Sequence, residues 1–212
     1  MNEQSVRKPL VIVGAGGHGR VVADAAYCQD LTIAGFIDDS LDVGTAVVAG
    51  TVLGGTDLMD DPAFISDHDF VVALGDQQGR MEWVSRLDGA GASLAIVRHP
   101  ATTVSPWAEI GAGSMLIAGS VINVGARIGR ACIINTGATV DHDCLLGDGV
   151  QLCPGVHLAG TVTCGAGVFI GTGASVIPNI RIGEGATVGA GSVVIEDVAA
   201  GTTVVGCPAQ PA

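Results

Sequence analysis

The densest group of reactive side chains in this chain is Asn135-Thr136-Gly137 followed by Asp141-His142-Asp143. A neutral imidazole takes up a proton near pH 7, and a carboxylate beside it can orient the ring and stabilise its cation. His142 with Asp143 or Asp141 therefore has the makings of a general base. A single histidine in a polar loop is more often just solvated, so the case depends on what surrounds the ring. His99 and His157 are near enough in sequence to be weighed as metal ligands with it. His157 and His142 are fifteen residues apart and do not stack in the repeat described below, so no metal site is expected.

A second group lies near the start. The apolar run Pro9 to Val13 ends in Gly14-Ala15-Gly16-Gly17-His18-Gly19, and Arg20 to Gln29 then reads as a helix with Val21, Val22, Ala25 and Ala26 available to pack. A strand, a glycine turn and a helix opening present backbone donors and the positive helix end to an anion. The next apolar run, Leu31 to Ile37, ends in Asp38-Asp39, about twenty residues past the glycines, the distance at which an acidic residue meets a ribose. The motif points to a nucleotide without saying which. Arg20 and Arg80 are the nearest cations for its phosphates.

The element that must hold His142 is a repeat. Stepping by six from Val104 gives Ile110, Leu116, Ile122, Ile128, Ile134, Val140, Leu146, Leu152, Leu158, Cys164, Ile170, Val176, Ile182, Val188 and Val194, with fifteen of the sixteen positions aliphatic. Four residues after each stands a small or β-branched residue, such as Ala126, Cys132, Ala138 or Val150, with Ile180 the bulky exception. No helix repeats every six; this period belongs to a parallel β-helix of hexapeptide turns, three hexads to a triangular coil of eighteen residues. Glycine follows the aliphatic residue at Gly111, Gly129, Gly147, Gly165, Gly171, Gly183 and Gly189, where it serves the corners by positive φ or close approach. His142 comes two places after the inward Val140, so its ring points outward. Adding eighteen places Gly160 above it and subtracting eighteen places Val124 below it. A missing side chain over an outward imidazole leaves a slot for a ligand.

Ahead of the repeat, Val47 to Leu53, Asp69 to Leu74 and Ser93 to Val97 read as strands. Asp57 to Phe64, interrupted at Pro62, and Gln77 to Leu87 read as helices. The alternation makes a small parallel α/β unit of about half a dinucleotide fold, with His99-Pro100 to Pro106 as the joint. His68, in a polar turn, is expected to be solvated. The tail from Ala199 to Ala212 is expected to cross back over the last coil.

The net charge of −12 argues against a general nucleic-acid or anionic-membrane surface. No apolar run reaches the length of a membrane span, and Met1 to Pro9 is polar and lacks the apolar core of a signal peptide, so the expected compartment is the cytoplasm. Cys28, Cys132, Cys144, Cys153, Cys164 and Cys207 show no zinc-ligand spacing and are expected to be buried, reduced thiols.

Five motifs, VGAGGHGRVV, FIDD, ALGD, INTGATVDHDC and VVGCPA, give nearly the whole chain a resemblance to bacterial sugar acyltransferases of the sialic-acid O-acetyltransferase type. Members of that group N-acetylate nucleotide-linked 4-amino sugars on the bacillosamine and perosamine pathways, for surface glycan or glycoprotein synthesis. The resemblance implies a Rossmann-like nucleotide-sugar domain over residues 1–98 and a left-handed parallel β-helix over 99–212. It also implies a homotrimer with acetyl-CoA in the grooves between subunits. His142 would be the base that deprotonates the sugar amine, Asp143 the partner raising its basicity, and Asn135 part of the same pocket. Gly16, Gly17, His18, Asp38, Asp39 and Gly75 would contact the nucleotide-sugar, and Gln151, Gly160, Thr172 and Ala190 the acetyl-CoA. O-acetylation of a sugar hydroxyl would use the same machinery. Two readings of another kind are an NAD-binding oxidoreductase or sensor module, which the glycines and Asp38 permit, and a trimeric scaffold without chemistry.

Overall fold

The computed structural model describes residues 8–212, so most of the polar segment Met1 to Pro9 lies outside the described residues. The first unit is a six-stranded sheet built from β1 (Leu10–Val13), β2 (Ile33–Ile37), β3 (Ala46–Val47), β4 (Gly50–Gly54), β5 (Asp69–Val72) and β6 (Ser93–Leu94), in the order β3-β4-β2-β1-β5-β6. β1 sits at the centre and is buried along its whole length, as a continuous apolar run requires. All pairings are parallel except the β3–β4 hairpin. The expected Val47–Leu53 strand is thus broken, because Ala49 turns at φ 59 between β3 and β4.

Three helices cover the sheet: α1 (Gly17–Cys28), α2 (Pro62–Asp67) after a 3₁₀ turn over Thr56–Asp60, and α3 (Gln77–Gly89). Val22, Ala23, Ala25 and Ala26 of α1 are buried, whereas Val21 falls off that stripe and is exposed. His68 is not solvated as expected. It is half-buried beside the rings of Phe64 and Phe70, with Nδ1 2.8 Å from Phe64 O.

The column follows. Its first face stacks Val97–Arg98, Met115–Leu116, Ile133–Ile134, Gln151–Leu152, Phe169–Ile170 and Thr187–Val188 in parallel. The second runs from Thr103–Val104 through Thr139–Val140 to Val193–Val194, and the third from Glu109–Ile110 through Leu145–Leu146 to Arg181–Ile182. Register pairs such as Val121 with Thr139 and Thr139 with His157 confirm a coil of eighteen residues, since 139 − 121 and 157 − 139 both equal 18. The inward positions are closed: Ile122, Ala126, Ile134, Ala138, Val140, Val150 and Ile170 are all 0% exposed.

The expected strand Ser93 to Val97 is divided between the two units. β6 pairs with β5, while Val97–Arg98 pairs with Met115–Leu116 as the first rung of the column. The first face is where the units meet, for Val97, Met115 and Ile133 share one core with Val22, Ala25 and Ala26 of α1. The tail first adds one more parallel rung, Thr203–Val205, beyond the expected end of the repeat, and then folds back as Gln210–Pro211, antiparallel to that rung.

Glycine plays two separate parts at the corners. Where glycine directly follows the inward aliphatic it serves close approach, since a Cβ at Gly147 would stand 2.6 Å from the backbone N of Ala166 in the next coil. Positive φ falls two places later, at residues such as Gly137 and Gly173, and there Ala131, Asp143, Thr161 and Asn179 adopt it too. Cys132, Cys144, Cys153 and Cys164 are buried, and burial pushes the Cys132 thiol up to about 12. Cys28 and Cys207, on α1 and in the tail, are exposed, contrary to expectation.

Candidate active site

His142 stands on the edge between the second and third faces. The corner beneath it is fixed by backbone bonds: Asp143 N–H donates to Val124 O at 3.0 Å and Thr161 N–H to His142 O at 2.9 Å. Asp141 braces the turn, with Oδ1 accepting from His142 N–H at 2.7 Å and from Asn123 Nδ2 at 2.8 Å. The ring is solvent-exposed, with 52% of the side chain accessible.

Nδ1 lies 2.9 Å from Oδ2 of Asp143. A carboxylate can only accept, so Nδ1 carries the proton and Nε2 presents a free lone pair. The face of the ring at Nε2 lies under Gly160, where an added Cβ would overlap Nε2 and Cε1, and the lone pair points outward in the ring plane. The hydrogen bond to Asp143 raises the imidazole above its ordinary value, desolvation opposes this, and the charges of Asp141 and Asp143 add to the rise. Asp143 rather than Asp141 is thus the ring's partner. Gly160 N–H has no acceptor among the described residues, which leaves a donor beside the base.

The other expected residues fall in three places. Asn135 follows Ile133–Ile134 on the edge between the first and second faces. Its Oδ1 accepts from Thr136 N–H at 2.8 Å, so within one chain it stands one edge away from His142. Thr172 and Ala190, exposed and eighteen apart (190 − 172), stack on that same edge. Gln151, on the first face, is buried, its Oε1 accepting from Arg80 at 3.3 Å. Within the chain the Gln151 side chain lies under Arg80 of α3 and is turned away from solvent.

In the first unit, Gly16 caps α1 with no side-chain acceptor, and the first turn holds no acidic residue, leaving its N–H groups open to an anion. Gly16, Gly17 and Gly75 all face empty space. Asp38, Asp39, Gly14, Thr56, Leu74 and Trp83 line a pocket of about 230 Å³ next to that turn. Both carboxylates are already engaged. Burial pushes Asp38 up, but the bonds it accepts from Ser40 and from Ala15 N–H together outweigh this and hold it below its ordinary value, and Asp39 accepts from Thr56 N–H at 2.7 Å. The His18 ring is largely buried, and its Nε2 has no partner among the described residues. Burial first and the charge of Arg80 second push it down to about 4, so His18 is neutral at physiological pH.

The two expected phosphate cations separate. Arg20 borders an open groove of about 570 Å³ with Ala15, Leu41 and Thr45. Arg80 is fully buried and cannot reach a phosphate in the pocket. The sequence reading also missed Asn123, which the eighteen-residue interval to Asp141 could have found, and the ion pair between Arg130 and Asp88, which no local spacing announces.

A hexapeptide-repeat column that displays a histidine–aspartate pair beneath a glycine, carried behind a half-Rossmann unit, defines a two-part bacterial-type hexapeptide transferase. Residues 9–87 match the PglD N-terminal domain family and residues 161–196 the bacterial transferase hexapeptide family of six repeats. The chain is 38% identical to the acetyltransferase domain of PglB from Neisseria gonorrhoeae, covering 97% of this chain and 100% of that one at a TM-score of 0.91. It is 36% identical to perosamine N-acetyltransferase from Caulobacter crescentus, a mutant of which was solved with CoA and GDP-perosamine, covering 96% of each chain at a TM-score of 0.92. It is also 38% identical over 115 residues to UDP-N-acetylbacillosamine N-acetyltransferase of Bacillus subtilis, a match that spans 52% of each protein. The chain belongs to the hexapeptide-repeat acetyltransferases that carry a PglD-type N-terminal domain.

Proposed function

We propose that this protein transfers the acetyl group of acetyl-CoA to the 4-amino group of a nucleotide-linked amino-dideoxy sugar, in the cytoplasm, for surface glycan or glycoprotein synthesis. The observation that carries the reading is the His142 ring, with Nδ1 bound to Asp143 and Nε2 free beneath Gly160. Nε2 removes a proton from the amine as its nitrogen attacks the thioester carbonyl, and Gly160 N–H donates to the oxygen that gains charge. Asp143 stabilises the imidazolium, which gives this proton to the departing thiolate, so that CoA leaves as the thiol and the ring is neutral again.

The nucleotide-sugar would lie along Gly16, Gly17 and His18, with Asp38, Asp39 and Gly75 around the adjoining pocket. Acetyl-CoA would follow Gly160, Thr172 and Ala190, with Gln151 acting from beneath α3. Because Asn135, Thr172 and Ala190 stand on a different edge from His142, a neighbouring subunit is needed to bring the two edges together. This supports a homotrimer with sites between subunits. Relatives solved with CoA and with GDP-perosamine support both substrate classes.

The test is thiol release from acetyl-CoA against a panel of UDP-, GDP- and TDP-linked 4-amino sugars, with the corresponding hydroxyl sugars as controls. Acetylation of one amino sugar with no turnover of its hydroxyl counterpart is expected. A silent panel, or stabilisation by NAD and by no nucleotide-sugar, would overturn the reading in favour of an NAD-binding module.

A further inference from the structure

Away from the His142 corner the molecule holds a buried charge that the transfer chemistry leaves unused. Arg80, near the start of α3, is 0% exposed, and its guanidinium donates to four oxygens. Nη1 reaches Leu74 O at 2.7 Å and Gln151 Oε1 at 3.3 Å, Nε reaches Ala131 O at 3.0 Å, and Nη2 reaches Gly149 O at 2.9 Å. All four acceptors are neutral. A cation is retained in such a place only when its donors are met in fixed directions, which a planar fork achieves and a lysine ammonium does not. Burial lowers the group to about 10, against the opposing charge of Asp76, and it stays protonated at neutral pH.

The four oxygens belong to two working parts. Leu74, with Gly14, Asp38 and Asp39, forms the wall of the nucleotide pocket. Gly149 and Gln151 lie on the coil that carries His142, and Ala131 lies one coil below Gly149 on the same edge, 149 − 131 being the coil length of 18. Parallel ladders hold each coil from above and below, so a group anchored at Gly149 is anchored relative to His142. Arg80 is not needed merely to attach the units. Arg130 and Asp88 form a second link, and α1 shares a core with the first face. Losing the fork would leave the units joined with room to shift.

We propose that Arg80 is a positioning residue of the transfer reaction: it sets the pocket that holds the nucleotide-sugar in register with the coil that carries His142. This rests on the function proposed above and adds a residue that touches neither substrate. Catalysis that depends on placement is sensitive to such slack, a shift of about 1 Å being enough to cost about a hundredfold.

The experiment compares wild type with Arg80→Lys, Arg80→Met and Gln151→Ala, the last removing one acceptor and leaving the three carbonyl bonds. Melting temperature, the Kd of each substrate by calorimetry, and kcat at saturation are measured on folded protein. For Arg80→Lys and Arg80→Met, kcat is expected to fall by about ten- to a hundredfold with both Kd values within about threefold of wild type. For Gln151→Ala a smaller fall in kcat in the same direction is expected. Acetylation of hydroxylamine, a small acceptor that needs no nucleotide pocket, should stay within about twofold in the Arg80 variants. Unchanged kcat in a folded variant, a nucleotide-sugar Kd that rises in step with the lost turnover, or equal loss with hydroxylamine would overturn the inference. If neither Arg80 variant folds, wild-type kcat in Gln151→Ala overturns it as well. Absence of transfer by wild type would instead remove the function on which it rests.

Discussion

The imidazole of His142 lies directly beneath the Cα of Gly160, one coil above it, with no room for a side chain between them. Gly160→Ala would place a methyl onto Nε2 and drive the ring off its position. The residue is not in the left-handed region, so alanine suits its backbone and the fold is expected to survive. Turnover should fall by about a hundred- to ten-thousandfold, as when a general base is removed, while the melting temperature changes little. His142→Ala should match it in kcat. Near-normal turnover in either variant would remove the ring from the reaction.

Asp143→Asn tests the partner. Asparagine tolerates the left-handed geometry at φ 58 and can still accept from Nδ1, but it carries no charge. His142 lies above its ordinary value mainly because of Asp143, and the proposed reaction needs the unprotonated ring. Activity in wild type should therefore decline as pH falls through that raised value. In Asp143→Asn the acidic limb should move to lower pH, and the plateau should drop because a weaker base remains. A limb that stays in place in a kcat/KM profile would show that another group titrates.

The six-residue rhythm made the column and the His142–Gly160 contact legible, because in this fold sequence distance converts directly into spatial neighbours. The same arithmetic gives Asn123 beside Asp141. Arg80 was not legible. Its acceptors Ala131 and Gly149 lie 51 and 69 residues away and depend on how two units dock, which no local period encodes. Nor could the apolar run at Ser93–Val97 show that its halves join different sheets, since period and propensity do not name a partner strand. The engaged carboxylates of Asp38 and Asp39 were hidden for a similar reason. A nucleotide motif looks the same whether its acids face a ligand or their own turn.

Asp88 and Arg130 form a bidentate pair across the two units at 2.6 and 2.7 Å. The bond from Arg130 holds Asp88 below its ordinary value, against a smaller effect of burial. A depressed carboxylate adds stability above its unfolded value of about 3.9 and loses it as pH falls through the folded value. With side chains 35% and 41% exposed, the pair is screened and should contribute about 0.5–1 kcal/mol. Asp88→Asn should lower the melting temperature by about 1–4 °C at pH 7. The difference should shrink in 1 M salt and vanish at pH 2 to 3. A deficit that persists in acid would point to packing instead of charge.

The two corner glycine positions should respond oppositely to substitution. At Gly147 the methyl of alanine would meet backbone atoms of Ala166 and Gly165 at 2.6–2.9 Å, and relief requires separating two coils along their ladder. Gly147→Ala should cost about 1–3 kcal/mol or more in urea unfolding. Gly173, at φ 70, faces open space, and Asn179 already adopts this geometry in the next such turn. Gly173→Asn should be within about 1 kcal/mol of wild type, since asparagine visits the left-handed region readily and stiffens the unfolded chain. If Gly147→Ala unfolds at the wild-type midpoint, the coils are not packed as tightly as these distances require. If Gly173→Asn is the more damaging of the two, the corner needs glycine for its conformation and not for its neighbours.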